Sequence, residues 1–321
     1  MDAQQFWIQA PGQGETVRAE LPPRQDGEVL VRTLYSGISR GTEALVFRGE
    51  VPPSQYQAMR APFQEGKFPG PVKYGYCSVG EVLEGPDTLV GRAVFCLYPH
   101  QDVYVVPATA VTPLPDRLPA GRAVLAANME TAITAVWDAR PLVGDRVVVI
   151  GAGVVGLLVG WLCRQTAGAD VTVVDINPSR ESVARALDLP FLTEPPGEAD
   201  ADLVIHASGQ PAGLRSALAV AGVEATIVEV SWYGNRSVPL PLGEAFHARR
   251  LTIKSSQVGR LSPLQTPRWT HPRRMALALD LLRDARFDAL ITDESAFEDL
   301  PDVMARLSQE PGDTLCHRIR Y

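Results

Sequence analysis

The chain has 321 residues, of which 45% are hydrophobic and 21% charged, and these values are typical of a globular protein long enough for two domains. Its formal net charge of −7 argues against a nucleic-acid partner, because the neutralisation of phosphates needs a basic face. No run of about 18 apolar residues is present to span a membrane, and the first residues lack the pattern of a signal peptide, so we expect a cytoplasmic protein with no membrane partner.

The first 125 residues are expected to be rich in β-strands. Apolar runs punctuated by Gly, Pro and Asp predict strands over residues 28–32, 78–83, 93–97 and 103–106. A Pro-rich polar segment, residues 48–72, interrupts these runs. It is expected to form a long loop or lobe, either a functional lid or a tolerated insertion.

From about residue 121 the pattern changes to strands that alternate with helices. Predicted strands are 146–150, 171–175, 203–206, 225–230 and 251–254, and predicted helices are 154–167, 178–187, 211–221 and 273–284. This alternation predicts an α/β domain with a parallel, doubly wound sheet. Residues 315–321 are strand-like again and are expected to return to the β-rich half. We therefore predict one domain from residues 1–125 with 286–321, and a Rossmann domain over 126–285.

A glycine motif, G-x-G-x-x-G, lies between the first predicted strand and helix of the second domain. Gly151 suits the tight turn, Gly153 allows backbone to approach a pyrophosphate, and Gly156 allows close packing of helix on strand. The residues that open the helix, Val154 and Val155, place free N–H groups and the positive end of the helix dipole at the phosphates. The motif predicts a dinucleotide site; the alternative is a Rossmann-like domain that has lost its cofactor.

The choice of cofactor depends on Asp175, which follows the second strand and stands 175 − 156 = 19 positions after Gly156. An acidic residue about 20 positions on accepts hydrogen bonds from the adenosine ribose hydroxyls and repels a 2′-phosphate. We therefore expect NAD(H) rather than NADP(H), although Arg180 nearby is able to pair with such a phosphate. Loops after the later strands are expected to line the same crevice, with contacts from Ser208, Gly209, Ser231 and Trp232.

The domain order and four local motifs resemble the medium-chain dehydrogenase/reductase superfamily, which contains the zinc alcohol dehydrogenases, over essentially the whole chain. The motifs are S-G-I-S-R-G-T-E at 36–43, G-Y-C-S-V-G-E-V at 75–82, N-M-E-T-A at 128–132 and V-D-I-N at 174–177. The resemblance implies a GroES-like β-barrel for the first domain, a small-molecule substrate in a cleft between the domains, and a homodimer. It also implies cofactor contacts from Ile176 and Ser256.

The residues at the superfamily's zinc positions depart from its ligands. Ser39 or Arg40 stands where the resemblance implies a cysteine, and Tyr76 stands where it implies a histidine. Only Glu130 is of a type that zinc accepts, and the lobe of four closely spaced cysteines has no counterpart. We therefore predict no zinc.

A rebuilt metal site from Cys77, His100 and Glu130 is the alternative to zinc independence. The two motifs at 36–43 and 75–82 look most like a zinc-free branch of the superfamily that includes bacteriochlorophyllide dehydrogenase. That likeness implies a lineage and leaves the substrate open.

Without a metal, hydrogen-bond donors must stabilise the alkoxide charge of a hydroxyl/carbonyl interconversion. The candidates at the matched positions are Ser39, Arg40, Thr42, Tyr76 and Glu130. Tyr76 is a candidate donor to a carbonyl oxygen, and Arg40 a candidate partner for an oxyanion or a substrate carboxylate. Glu130 is a candidate base, or an orienting partner of Arg40 or Tyr76. The alternatives are cleft packing for Tyr76 and an inter-domain ion pair for Arg40 and Glu130.

Three functions are compatible with this sequence. The first is a zinc-independent, NAD-dependent dehydrogenase acting on a hydroxyl/carbonyl pair. The second is an NADPH-dependent reductase of an activated C=C bond, against which Asp175 argues. The third is a non-catalytic NAD-binding sensor or scaffold, against which the polar residues at the matched positions argue.

Overall fold

The computed structural model describes residues 2–321. Its strands, β1 to β17 in chain order, are Asp2–Ala10, Gln13–Glu20, Glu28–Ile38, Glu65–Gly66, Val72–Lys73, Ser78–Glu84, Ala93–Cys96, Val103–Pro107, Val111–Pro113, Arg146–Ile150, Asp170–Val174, Phe191–Leu192, Ala201–His206, Ala221–Glu229, Thr252–Ser255, Ile291–Ala296 and Cys316–Arg320. Its α-helices, α1 to α8, are Arg40–Phe47, Ala120–Ala123, Ala126–Ala139, Val154–Arg164, Arg180–Ala186, Pro211–Val220, His271–Leu281 and Leu300–Gln309. None of these helices is both long enough and apolar enough to cross a membrane.

The chain divides into two compact units, Met1–Ala127 with Met275–Tyr321, and Asn128–Arg274. The predicted domain limits differ from this division at both places: residues 126–127 and 275–285, predicted to be in the Rossmann domain, belong to the first unit. Both limits fall inside helices, α3 and α7. A domain limit inside a helix has no Gly- or Pro-rich linker to mark it, so the sequence pattern did not locate these limits.

The first unit contains two sheets. One sheet has the strand order β16-β17-β3-β6-β7-β9, with β8 also paired to β3, and the other has the order β2-β1-β5-β4. β17 pairs antiparallel with β3, which confirms that the last strand-like segment returns to the β-rich half. Apolar side chains of these strands, among them Val29, Val31, Val82 and Val94, form a buried cluster. The 48–72 segment contributes a short turn, Pro53–Gln55, the two-residue strand β4 and the first residue of β5.

The second unit contains one sheet whose strands are all parallel. Its order is β12-β11-β10-β13-β14-β15, so the chain runs outward from β10 first to one side and then to the other. This confirms the predicted doubly wound sheet. β10 has the predicted bounds, 146–150, whereas α4 ends at Arg164 rather than at residue 167. Ligands of such sheets bind at the carboxyl ends of the strands where the order reverses, which here is at β10.

The turn between β10 and α4 depends on close approach of backbone. Gly151 has φ +108°, a conformation that side chains with a Cβ rarely adopt. A Cβ on Gly156 would overlap the carbonyl oxygen of Gly151, whereas a Cβ on Gly153 would meet no atom within 4 Å. The first and third glycines of the motif are thus needed by the fold, and the second faces open space.

We expect Gly156→Ala to lower the free energy of unfolding by about 1–3 kcal/mol, because the added methyl displaces the turn or the helix. Gly153→Ala is the matched control and should leave stability within about 0.5 kcal/mol of the unmodified chain. Urea unfolding followed by circular dichroism measures both. Equal stability of the two variants would contradict the packing described for this turn.

Candidate functional site

The predicted acidic residue of the dinucleotide site lies against the glycine turn. Asp175 Oδ2 accepts a hydrogen bond from the backbone N–H of Ala152 at 2.7 Å, and Oδ1 accepts one from Asn177 N at 2.9 Å. These two bonds orient the carboxylate and leave lone pairs for further donors, because a carboxylate offers about four acceptor positions. The carboxylate therefore fits the two hydroxyls of a ribose.

The neighbours of Asp175 differ in what they present to a ligand. Ile176 is 90% exposed, so its apolar side chain is free to cover an adenine ring. Arg180, at the start of α5, is 5% exposed and offers little surface to a 2′-phosphate. Val154 and Val155 open α4 and are half-buried beside Gly153, as a phosphate-binding helix start requires. These observations fit a nicotinamide dinucleotide to this edge of the sheet.

The loops that follow β13 and β14 meet at the same edge. Ser208 and Gly209 follow β13, and Ser231 and Trp232 follow β14; all four are half-buried. The two loops are joined by a hydrogen bond from Gly209 N to Ser231 Oγ at 3.0 Å. A Cβ on Gly151 would lie 2.6 Å from Ser208 N, so the first loop touches the glycine turn.

Ser256, expected to contact the cofactor, follows β15. Its hydroxyl donates to Asp138 Oδ2 at 2.7 Å, and Lys254 Nζ donates to the Asp138 carbonyl oxygen at 2.8 Å. Asp138 lies on α3, so the three side chains connect β15 to that helix. The hydroxyl proton of Ser256 is thus used within the protein, and only its oxygen remains to contact a ligand.

Three of the predicted catalytic residues come together in the first unit. Tyr76 is half-buried, and its hydroxyl lies within hydrogen-bonding reach of Ser39 and Thr42. Burial is the main cause that raises the pKa of Tyr76, the charge of Glu43 raises it further, and the hydrogen bonds of Ser39 and Thr42 oppose the rise. The phenol is consequently protonated at neutral pH and able to donate a hydrogen bond.

A buried polar chain adjoins this hydroxyl group and was not identified from the sequence. Glu43 Oε1 accepts from Ser39 N at 2.7 Å, and its Oε2 lies 2.8 Å from His100 Nε2. His100 Nδ1 lies 2.7 Å from Ser36 Oγ, which lies 3.0 Å from the hydroxyl of Tyr321. Glu43, His100 and Ser36 are each 1% exposed. The chain fixes the start of α1, on which Thr42 lies.

Arg40 is the first residue of α1, and its Nη1 donates to the carbonyl oxygen of Thr314 at 2.8 Å. Both residues belong to the first unit. One edge of the guanidinium therefore ties α1 to the segment before β17. Because this bond goes to a backbone carbonyl of the same unit, it is not the inter-domain ion pair of the alternative, and the role of Arg40 toward a substrate stays a prediction.

Glu130, predicted as a base or an orienting partner, lies in the second unit on α3. Its Oε1 accepts from Arg274 Nε at 3.0 Å, and Arg274 Nη1 donates to Thr134 Oγ1 at 2.8 Å. The side chains of Glu130 and Arg274 are 6% and 2% exposed. Burial raises the pKa of Glu130, and the charge of Arg274 opposes the rise. One carboxylate oxygen of Glu130 is thus engaged by Arg274, a residue of the same unit 144 positions away in sequence, and the base and orienting roles of Glu130 stay predictions.

The residues at the superfamily's zinc positions do not fit a zinc ion. Tyr76 and Ser39 offer hydroxyls, Glu130 is bound by Arg274, and both ring nitrogens of His100 are bonded. Burial raises the pKa of Cys77, which disfavours the thiolate that a metal needs. Across residues 2–321, no group of three or more His, Cys, Asp or Glu side chains is arranged to hold a metal ion. Zinc independence remains a prediction, which metal analysis of the purified protein tests.

Comparison with known proteins places this architecture. No protein-family model matches the chain. An uncharacterized zinc-type alcohol dehydrogenase-like protein of Haemophilus influenzae is 28% identical over 95% of this chain and 94% of its own length. The D-guloside 3-dehydrogenase of Escherichia coli is 26% identical over 88% of this chain and 87% of its own. Both relatives match most of this chain, which supports the resemblance to the medium-chain dehydrogenase/reductase superfamily. Their names support an oxidoreductase.

Solved structures of dehydrogenases have the same fold across the whole chain. L-Idonate 5-dehydrogenase of Escherichia coli has a TM-score of 0.81 at 15% identity, covering 100% of this chain and 99% of that one. A protein described as a zinc-binding dehydrogenase of Sinorhizobium meliloti, bound to NADP, has a TM-score of 0.79 at 16% identity, with 100% of both chains covered. An alcohol dehydrogenase of Escherichia coli, complexed with NADH, has a TM-score of 0.77 at 18% identity, covering 100% and 99%. The first unit thus has a GroES-like fold and the second a Rossmann fold.

We expect Arg274→Leu to lower the free energy of unfolding by about 3–5 kcal/mol, because it leaves the buried carboxylate of Glu130 without a counter-charge. The double variant Glu130→Leu/Arg274→Leu should recover most of this loss, since no buried charge remains. Urea unfolding of the two single variants and the double variant gives the coupling free energy. Additive losses would mean that the pair contributes no coupling.

Proposed function

We propose that this protein is a zinc-independent oxidoreductase that transfers hydride between NAD(H) and a hydroxyl/carbonyl substrate. The observation that carries the proposal is the hydroxyl of Tyr76, which stands where the superfamily resemblance implies a metal ligand and lies within hydrogen-bonding reach of the hydroxyls of Ser39 and Thr42. A polar group of this kind supplies donors for a developing oxyanion without a metal.

The preference for NAD(H) rests on the second unit. Asp175 presents a negative charge to the ribose position, and a 2′-phosphate would meet that charge at short range. Arg180, the residue able to offset this repulsion, is 5% exposed. One superfamily neighbour of similar structure was solved with NADH and another with NADP, so fold alone leaves the choice open. Asp175 favours the first.

The proposed mechanism assigns the proton transfer to the phenol oxygen of Tyr76. The nicotinamide, when bound, gives or takes the hydride. In the reducing direction Tyr76 donates a hydrogen bond to the carbonyl oxygen, and its proton passes to the alkoxide as that charge develops. The hydroxyls of Ser39 and Thr42 donate to the phenolate that remains, which is the effect by which they lower the pKa of Tyr76.

The name of one relative suggests which substrates to test first. One relative that matches most of this chain is named D-guloside 3-dehydrogenase, so secondary hydroxyls of carbohydrate derivatives are the compounds to screen first. The alternative, a C=C reductase, is predicted to use NADPH, and Asp175 disfavours that cofactor. A non-catalytic sensor has no need of hydroxyl groups at the matched positions, so their presence argues against that alternative.

We expect NADH to bind at least about tenfold more tightly than NADPH, a difference of roughly 1.4 kcal/mol. Asp175→Ala should reduce this preference, because it removes the charge that repels a 2′-phosphate. Gly153→Ala should raise the Kd of NADH roughly tenfold or more at unchanged stability, because its methyl occupies the space that a pyrophosphate approaches. Fluorescence titration measures the three proteins, with metal analysis of the same samples.

Each outcome of this titration has one meaning. NADH preference without stoichiometric zinc supports the proposal. NADPH preference would point to the C=C reductase, one zinc per chain would mean a rebuilt metal site, and binding of neither dinucleotide would leave a scaffold as the function.

We expect Tyr76→Phe to lower kcat/KM by about 10²- to 10⁴-fold on any substrate found, because it removes the proton donor. Tyr74→Phe is the matched control: Tyr74 is a neighbouring tyrosine, 4% exposed, with no part in the proposed proton transfer. Steady-state kinetics and NADH binding are measured on both variants. Turnover of Tyr76→Phe at the rate of Tyr74→Phe would remove Tyr76 from the reaction.

A further inference from the structure

A second group of polar side chains lies at the carboxyl ends of β13 and β14, and the proposed proton transfer does not use it. His206 Nδ1 lies 2.9 and 2.8 Å from the two carboxylate oxygens of Glu229, and its Nε2 lies 2.6 Å from Ser208 Oγ. Glu229 also accepts from the hydroxyl of Tyr233 at 2.9 Å and from Ser231 N at 2.7 Å. The side chain of His206 is fully buried, whereas Ser208 is half-exposed.

The direction of the hydrogen bonds in this group follows from its partners when the imidazole of His206 is neutral. Burial and the charge of Glu229 raise the pKa of Tyr233, so its hydroxyl is protonated and donates to the carboxylate. The carboxylate of Glu229 accepts from Tyr233 and Ser231 and has no proton to donate. In a neutral His206 the ring proton therefore lies on Nδ1, which donates it to Glu229. His206 Nε2 then accepts the hydroxyl proton of Ser208. Glu229 thereby determines, through His206, that Ser208 faces its ligand as an acceptor.

The oxygen of Ser208 has one acceptor position left. It donates its proton to His206 and accepts from Gln210 N at 3.2 Å, and a serine hydroxyl has two lone pairs. The remaining lone pair needs a donor. A phosphate oxygen is only an acceptor and cannot supply one, whereas the hydroxyl of a ribose can.

The position of Ser208 identifies which ribose this is. β11 and β13 flank β10 on opposite sides, with Asp175 after the first and Ser208 after the second. The glycine turn after β10, where the pyrophosphate binds, lies between them. A dinucleotide whose adenosine ribose is at Asp175 therefore has its nicotinamide ribose on the side of Ser208.

A serine, a histidine and a carboxylate in this geometry also resemble the group that performs acyl transfer. That chemistry requires backbone N–H groups to stabilise an oxyanion. The N–H of Gly209 donates to Ser231 Oγ and that of Gln210 donates to Ser208 Oγ itself, so both nearby donors are in use. The group is therefore suited to orienting a hydroxyl and not to acylation.

We propose that Ser208 accepts a hydrogen bond from a hydroxyl of the nicotinamide ribose, and that His206 and Glu229 are positioning residues that hold Ser208 in this acceptor state. The inference rests on the proposed use of a nicotinamide dinucleotide. A Cβ on Gly213 of α6 would lie 2.6 Å from His206 Nε2, so this glycine leaves the room that the imidazole needs.

The test is a titration with NADH and with two NADH analogues, each lacking one hydroxyl of the nicotinamide ribose. Ser208→Ala should weaken NADH binding about three- to tenfold, the effect of one hydrogen bond. One analogue should bind the unmodified protein more weakly by a similar factor and bind Ser208→Ala as well as NADH does. Ser216→Ala is the matched control, because Ser216 lies on α6 and its hydroxyl donates to the Ala212 carbonyl of the same helix.

The role of His206 has its own variant. His206→Asn keeps a donor for Glu229 and removes the acceptor for Ser208. Alone, it should weaken NADH binding by the same factor as Ser208→Ala does. In the Ser208→Ala background it should weaken NADH binding no further. A merely structural histidine would instead weaken all three ligands equally in both backgrounds, which would overturn its positioning role.

The remaining outcomes separate this inference from the function on which it rests. NADH binding by Ser208→Ala equal to that of Ser216→Ala, or sensitivity of Ser208→Ala to both missing hydroxyls, would overturn the inference alone. Covalent labelling of Ser208 by a fluorophosphonate would overturn it in favour of acyl transfer. Binding of neither NADH nor NADPH to the unmodified protein would overturn the proposed function together with it.

Discussion

Three backbone segments meet at Gly151, and the arrangement of the second unit depends on that contact. The turn after β10 takes a left-handed conformation at Gly151, the start of α4 packs on its carbonyl oxygen at Gly156, and the loop after β13 touches it at Ser208. Because each contact excludes a Cβ, the three segments have little freedom to shift. Asp175, bonded to Ala152 N of the same turn, is positioned by the same constraint.

Features that depend on neighbours in sequence were predicted well. The strand 146–150, the glycine turn and the doubly wound sheet follow from local apolar runs and from residue types with one conformational use. The side-chain partners depend on distant pairs instead. Glu130 and Arg274 are 144 positions apart, and His206 and Glu229 are 23 apart on neighbouring strands. No local pattern distinguishes a buried ion pair from two surface charges, so these partners appeared only with the fold.

The first unit places charge where the superfamily resemblance implied a metal. Glu43, His100 and Ser36 form a continuous buried chain, and the charge of Glu43 contributes to the raised pKa of Tyr76. Buried polar groups of this kind are costly unless each is bonded, and here each has a partner. The hydroxyls of Ser39 and Tyr76, near the positions where the resemblance implies metal ligands, therefore lie in a polar environment that suits hydroxyl groups.

The ion pair of Glu130 and Arg274 has a topological consequence. The second unit is one continuous stretch inserted between the two parts of the first, and these two residues lie at its opposite ends. Their bond joins the two ends of the inserted segment. Once this segment has folded, the loop that must close for β3 to pair with β17 is effectively short. If the inserted unit folds before β3 and β17 pair, a long-range pairing becomes a nearly local one, and pairings of that kind form faster.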